Sequence, residues 1–191
     1  MPITIEPLTG NLWDDFARLF GPQGACYGCW CTYFRLPPKA RQGTTANERR
    51  ETMRRRVQVG PPPGLLAYDG AEPVGWMQIG PRMDIPEWNN AGRASAPLAV
   101  ADARDPECWA ISCFFFNKSA RRSGLSHIMV DAGVAHARAS GARVLEACPM
   151  EEARTSGSIG LFVGSARVFR RAGFAVVAER KPGRPLMRLD L

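Results

Sequence analysis

Alternating and helix-spaced apolar positions follow one another along the chain. Residues 3–8 (ITIEPL) alternate as a first strand would, with Pro7 near its end. Asn11 can cap a helix with apolar positions at Leu12, Trp13, Phe16, Leu19 and Phe20, stopped by Gly21-Pro22. Residues 22–35 (PQGACYGCWCTYFR) form a segment dense in aromatics and cysteines. Thr44 or Thr45 opens a second, basic helix through Arg56, and Glu48 stands at capping-box spacing from Thr45. Gly60-Pro61-Pro62-Pro63-Gly64 ends that helix as a stiff linker. Asp69-Gly70 between Leu65–Tyr68 and Val74–Ile79 predicts a β-hairpin. Residues 80–107 lack a clear period and read as a long loop with a short helix at 96–102.

The next stretch organises the rest. Trp109–Phe116 is an apolar run that predicts a buried strand. A polar turn, 117–124, leads into a helix with apolar positions at Leu125, Ile128, Met129, Ala132, Ala135 and Ala139, and Gly141 suits its C-terminus. A strand, a tight turn and a helix aim backbone N–H groups and a positive dipole end at one spot, which suits phosphate. Beyond it the pattern predicts a strand at Val144–Ala147, a loop over 149–157, a helix over 159–172, and strands at Ala175–Glu179 and Leu186–Leu191. The element order is β-α-α-β-β-β-α-β-α-β-β, without internal repeats.

Composition narrows the class. At 191 residues, with 45% hydrophobic and 23% charged residues, the chain predicts one domain, 1–191, with a sizeable core. No apolar run is long enough to span a bilayer, and the N-terminus lacks a basic-then-apolar leader, so a cytoplasmic location is the expectation. The net charge of +7 comes almost wholly from arginine, since Lys occurs only at 39, 118 and 181. That bias suits a polyanionic ligand, or simply a solvated surface. Arg49, Arg50, Arg54, Arg55 and Arg56 share the basic helix with Glu48 and Glu51, and no aromatic interleaves them, so a solvated face is favoured over nucleic-acid binding.

Arg121-x-x-Gly124-x-Ser126 at the strand-to-helix turn, followed by Phe169-x-x-x-Gly173-Phe174, resembles the Gcn5-related N-acetyltransferase (GNAT) superfamily, whose signature is Gln/Arg-x-x-Gly-x-Gly/Ala. Ser126 departs from that signature in its last place. The resemblance follows the element order over 3–191 and is specific over 109–174. It implies an α/β (α+β) acyl-CoA N-acyltransferase fold: a mixed, mostly antiparallel central sheet of about seven strands with helices on both faces. It also implies acetyl-CoA as co-substrate, with no metal. The backbone of Arg122, Ser123, Gly124, Leu125 and Ser126 would cradle the pyrophosphate, with Arg121 and Arg122 adding charge. The pantetheine arm would run along Phe114, Phe115 and Phe116. Phe169 and Arg170 would lie on the cofactor side, and Lys118, Arg170 and Arg171 are candidates for the 3′-phosphate. The reaction is the direct attack of a neutral amine on the thioester in a ternary complex, the carbonyl polarised by the N–H of Phe115 or Phe116. Relatives often carry Tyr where Phe169 stands, as acid, and Asn where Phe162 stands, which leaves Ser165 as a substitute acid. Glu107 and Glu146 are the nearest carboxylates for a base, with water relays as the alternative.

Cys26-x-x-Cys29-Trp30-Cys31 follows the first helix, and several acetyltransferase-like proteins carry a similar loop, which marks a subgroup. The loop supplies three of the four ligands a structural zinc needs, so packing among aromatics is favoured over a metal. In relatives this region lines the acceptor pocket, which points to Trp30, Tyr33 and Arg35 as its wall. Cys113 and Cys148 read as core residues rather than acyl carriers. His127 and His136 lie on opposite faces of their helix and cannot share a metal. The expected acceptor is a small-molecule amine, an antibiotic or other specialised metabolite among the candidates. A protein or peptide acceptor and a non-catalytic acyl-CoA-binding module are the alternatives. No nucleic-acid or membrane partner is expected, and a homodimer is compatible with this reading.

Overall fold

A computed structural model describes residues 2–151 and 162–191. Among these residues, seven strands form one sheet in the order β1-β2-β3-β4-β5-β7-β6. They are β1 (Ile3–Pro7), β2 (Gly64–Asp69), β3 (Glu72–Pro81), β4 (Cys108–Phe116), β5 (Val144–Ala147), β6 (Ala175–Glu179) and β7 (Pro185–Asp190). Every neighbouring pair is antiparallel except β4 and β5. The parallel step needs a crossover, and α4 (Leu125–Ala139) supplies it. The mixed, mostly antiparallel architecture is the one the resemblance implies. No helix among the described residues is long and apolar enough to cross a membrane.

Both sheet faces are covered. On one, α4 and α5 (Ala166–Arg171) bury Met77, Ile79, Ile111, Phe114 and Phe169. On the other, α1 (Trp13–Phe20), the cysteine loop and α3 (Ala46–Val59) bury Phe16, Trp30, Met53 and Trp76. The Thr45–Glu48 capping box forms as the spacing predicts. A short extra helix, α2 (Pro38–Gly43), precedes α3.

Three details differ from the pattern reading. The buried stripe of α4 is Leu125, Met129, Val130, Gly133, Val134 and Ala137, whereas Ile128 is exposed. The larger valines win the core, and Gly133 lets β3 approach: a Cβ there would lie 2.5 Å from Met77 Cε. The helix expected over 159–172 begins only at Ala166, and Gly164 before it has φ +79°; residues 159–161 lie outside the described ones. The long loop carries three 3-10 turns, Arg82–Asp84, Pro86–Asn89 and Val100–Ala103, rather than one helix at 96–102.

Candidate active site

The middle of the sheet divides. β4 pairs with β3 as far as Phe116, but with β5 only over Cys108–Ile111. Ser112 interrupts the register with β3, because Ile79 faces Ile111 and Gln78 faces Cys113. An extra residue of this kind bends a strand and re-aims its side chains. Before the bulge Trp109 and Ile111 face the α4 side; after it Phe114 and Phe116 do, while Cys113 and Phe115 face the cysteine loop. Among the described residues, the β5-facing edge of β4 from Ser112 to Phe116 has no strand partner and can pair with an extended ligand.

The turn after β4 is built by local hydrogen bonds. Asn117 Oδ1 accepts from Ala120 N at 3.0 Å and from Ser119 Oγ at 2.9 Å. Arg122 and Gly124 take φ +64° and +82°, and α4 starts at Leu125. Backbone N–H groups from Arg122 to Ser126 have no backbone acceptor among the described residues. Consecutive free N–H groups at the N-terminus of a fifteen-residue helix suit a phosphate group. Arg121 and Arg122 are exposed beside them.

Beside the free edge of β4 lies a cavity of about 530 Å³ under the 25–42 segment. Phe20, Tyr33, Phe34, Phe115 and Phe162 give it an aromatic wall, and Cys26, Cys29, Cys31 and Cys113 line it with thiols. Arg41 and Arg49 are its cations. Arg49 is occupied by carbonyls, donating to Gly28 O at 2.7 Å and Arg41 O at 3.1 Å. Arg41 sits over the Tyr33 ring at 4.1 Å, with Arg93 at 5.4 Å. Burial works against the Tyr33 phenolate, but hydrogen bonding and charge from Arg93 and Arg41 leave the phenol below its usual range.

The residues singled out from the sequence divide between this site and the framework. Phe114 and Phe115 line the cavity, and Phe116 ends the free edge. Tyr33 is on the cavity wall. Trp30 is not: it is 2% exposed, stacked on Phe20 and Trp13, and closed over Gly24. Arg35 is half-buried behind the wall and donates to Asp84 O at 2.9 Å. Phe169 is fully buried against Phe174 and Phe114. Arg170 pairs with Glu151 at 2.6 Å, and Ser165 bridges to Met150. Glu107 lies just before β4, at the end of the strand away from the turn, 3.5 Å from Arg143. Glu146 is fully buried between Arg82 and Arg188, whose Nε and Nη2 lie 2.9 and 2.7 Å from its Oε1, and it does not line the cavity. His136 packs edge-on against Trp109 rather than facing solvent alone, and burial lowers its pKa. Sequence reasoning missed Gln78 and Trp76, whose side chains reach the cysteine loop from β3. Among the described residues, no cluster of three or more His, Cys, Asp or Glu side chains could hold a metal ion.

The family model described as "Acetyltransferase (GNAT) family" matches residues 30–174. Solved structures share the fold. The PaiA N-acetyltransferase from Thermoplasma acidophilum, in complex with coenzyme A, has a TM-score of 0.55 at 10% identity over all of both chains. YncA from Salmonella typhimurium, solved with acetyl-CoA, has 0.53 at 16% identity over 99% of this chain and 94% of that one. The GNAT domain of S. lividans PAT has 0.53 at 15% identity over 98% and 89%. No curated protein matches the chain.

Proposed function

The chain belongs to the GNAT acetyltransferase family, and on that premise we propose that it transfers the acetyl group of acetyl-CoA to the primary amine of a small molecule held in the 530 Å³ cavity. The observation that carries this reading is the continuity of three features. The free N–H groups of 122–126 suit a pyrophosphate, the open edge of Ser112–Phe116 suits an extended arm, and that edge runs beside the cavity. A thioester laid along β4 would present its carbonyl to the strand's N–H groups and its carbon to the cavity. The amine would attack directly, with both substrates bound. The aromatic wall calls for an acceptor with an apolar body. Arg41, which has no carboxylate partner among the described residues, would meet an anionic group on it.

The test is acetyl-CoA binding followed by thiol release across a panel of primary amines. Acetyl-CoA is expected to raise the melting temperature, and amines with an apolar body and a carboxylate are expected to release coenzyme A fastest. Thermal stabilisation without thiol release from any amine would sink the enzymatic reading in favour of a binding module. An Arg121→Glu variant that keeps full acetyl-CoA affinity would sink the placement of the donor.

A further inference from the structure

An amine near neutral pH is mostly an ammonium ion and must lose a proton before it can attack. The carboxylates nearest in sequence do not reach the cavity, since Glu146 is locked between two arginines and Glu107 lies at the far end of β4. Among the described residues the cavity lining contains no carboxylate and no imidazole; its titratable groups are thiols, phenols and guanidinium groups.

Cys31 differs from the other thiols in what faces its sulfur. From β3, the Trp76 indole N–H donates to Sγ at 3.1 Å. From β4, the Cys113 thiol lies next to it, its own S–H directed at Phe114 O at 3.8 Å. One end of the Gln78 amide lies 2.7 Å from Sγ. The Arg35 guanidinium fixes which end, because its Nε and Nη2 need an acceptor and lie 3.2 Å from the far end of that amide. With the amide oxygen turned to Arg35, the Gln78 NH2 group faces Cys31 and donates to its backbone carbonyl at 3.2 Å. The sulfur then accepts from the Trp76 indole and lies 2.7 Å from the Gln78 NH2 group, and among the described residues no hydrogen-bond acceptor is left for a proton of its own. Donors converging on a sulfur favour the anion. The other ionisable groups around it are Cys26 and Cys29 on its own loop, and Arg35, with Arg56 and Asp84 beyond. The loop adopts this arrangement through left-handed backbone at Ala25, Tyr27, Trp30 and Cys31, with φ of 59°, 54°, 45° and 57°. Such strain in residues with a Cβ persists where the surroundings enforce it, and it gathers at functional sites.

We propose that Cys31 rests as a thiolate and is the catalytic base that deprotonates the acceptor's ammonium group. This role rests on the acetyl-transfer reading above. An N–H bond of the ammonium breaks and an S–H bond forms on Cys31. The freed lone pair attacks the thioester carbonyl carbon, the bond from that carbon to the sulfur of coenzyme A breaks, and the departing thiolate takes the next proton from the nitrogen. Cys31 then returns its proton to solvent through the cavity mouth. The surrounding thiols fit a single anion. Burial opposes the charge on Cys31, but Cys113, Trp76 and Arg35 hold it below the ordinary thiol range. The neighbouring Cys31 and burial push the half-buried Cys113 well above that range, and burial followed by the charge of Cys31 pushes Cys29 up to about 12.

The charge can be read without an acceptor. Thiolate absorbance in the ultraviolet, wild type minus Cys31→Ser, is expected to titrate below the ordinary cysteine range of about 8.5, and Trp76→Phe is expected to move that titration upward. A difference spectrum that titrates at or above the ordinary range overturns the proposal. With an amine that the wild type acetylates, Cys31→Ser is expected to lose about a hundredfold or more in kcat while retaining its circular dichroism spectrum and its acetyl-CoA affinity. The acidic limb of the wild-type kcat/KM profile is expected to follow the Cys31 titration. Unchanged kcat in Cys31→Ser overturns the base assignment, as does an acidic limb that disappears in Tyr33→Phe, or an acetyl group found on Cys31 after acetyl-CoA alone. Absence of acetyl-CoA binding, or of transfer to any amine, overturns the acetyl-transfer reading and the base role with it, whereas an ordinary Cys31 titration overturns the base role and leaves the acetyl-transfer reading standing.

Discussion

A carboxylate on a central strand invites a catalytic role, and Glu146 shows how partners settle that role. Its neighbours arrive from elsewhere in the chain: Arg82 from the 80–107 segment and Arg188 from β7. Arg82 also donates to Asn89 Oδ1 at 2.9 Å and to Ser95 O at 2.6 Å, and lies 4.5 Å over the Trp88 ring. Glu146 is therefore the anchor of the long segment rather than a solvent-facing base. Glu146→Ala would leave Arg82 charged and buried without its counter-ion, and is expected to cost about 3–5 kcal/mol of stability. Urea unfolding would read the loss, and acetyl-CoA affinity per folded molecule is expected to stay at the wild-type level. A variant of wild-type stability would refute the anchor. Neither this ion pair nor the surroundings of Cys31 can be read from local sequence. Arg82 is 64 residues from Glu146, and Trp76 and Gln78 are 45 and 47 from Cys31. Spacing rules do not reach across such separations.

Among the elements, the unit from β4 through α4 is the most legible, because its signals are local. An aromatic run, a polar turn with glycine and a helical period follow one another within 108–139, and the observed bounds agree with them. The rotation of α4 escaped the pattern because alanines mark a face weakly, and the true stripe depends on the close approach of Gly133 to Met77. At the head of the helix, Gly124 occupies left-handed backbone at φ +82°, with nothing within 4 Å of where a Cβ would stand. Gly124→Ala is therefore limited by backbone strain alone and is expected to cost about 1–2 kcal/mol. If the turn must hold this shape to present its N–H groups, acetyl-CoA affinity will fall as well. Titration calorimetry on the folded variant reads this, and unchanged affinity would show that the turn does not hold the pyrophosphate.

For the molecule as a whole, the charge of +7 and the exposed Arg121 and Arg122 would attract a polyanionic donor toward the turn under the proposed function. Surface attraction is screened over roughly 10 Å at 0.1 M salt. Acetyl-CoA affinity is therefore expected to weaken steadily as sodium chloride rises, while acceptor binding inside the aromatic cavity changes far less. Equal salt dependence for donor and acceptor would contradict this division of labour. The sheet itself has a further property. Among the described residues, β4 and β5 pair over only four residues, Cys108–Val144 to Ile111–Ala147, where a four-stranded half meets a three-stranded half. A ligand lying along Ser112–Phe116 would extend that seam with rungs that none of the described residues provides. The ligand would thus serve as mortar as well as substrate: with it bound, the amide protons of Phe114 to Phe116 should exchange more slowly, and the two halves should melt as one.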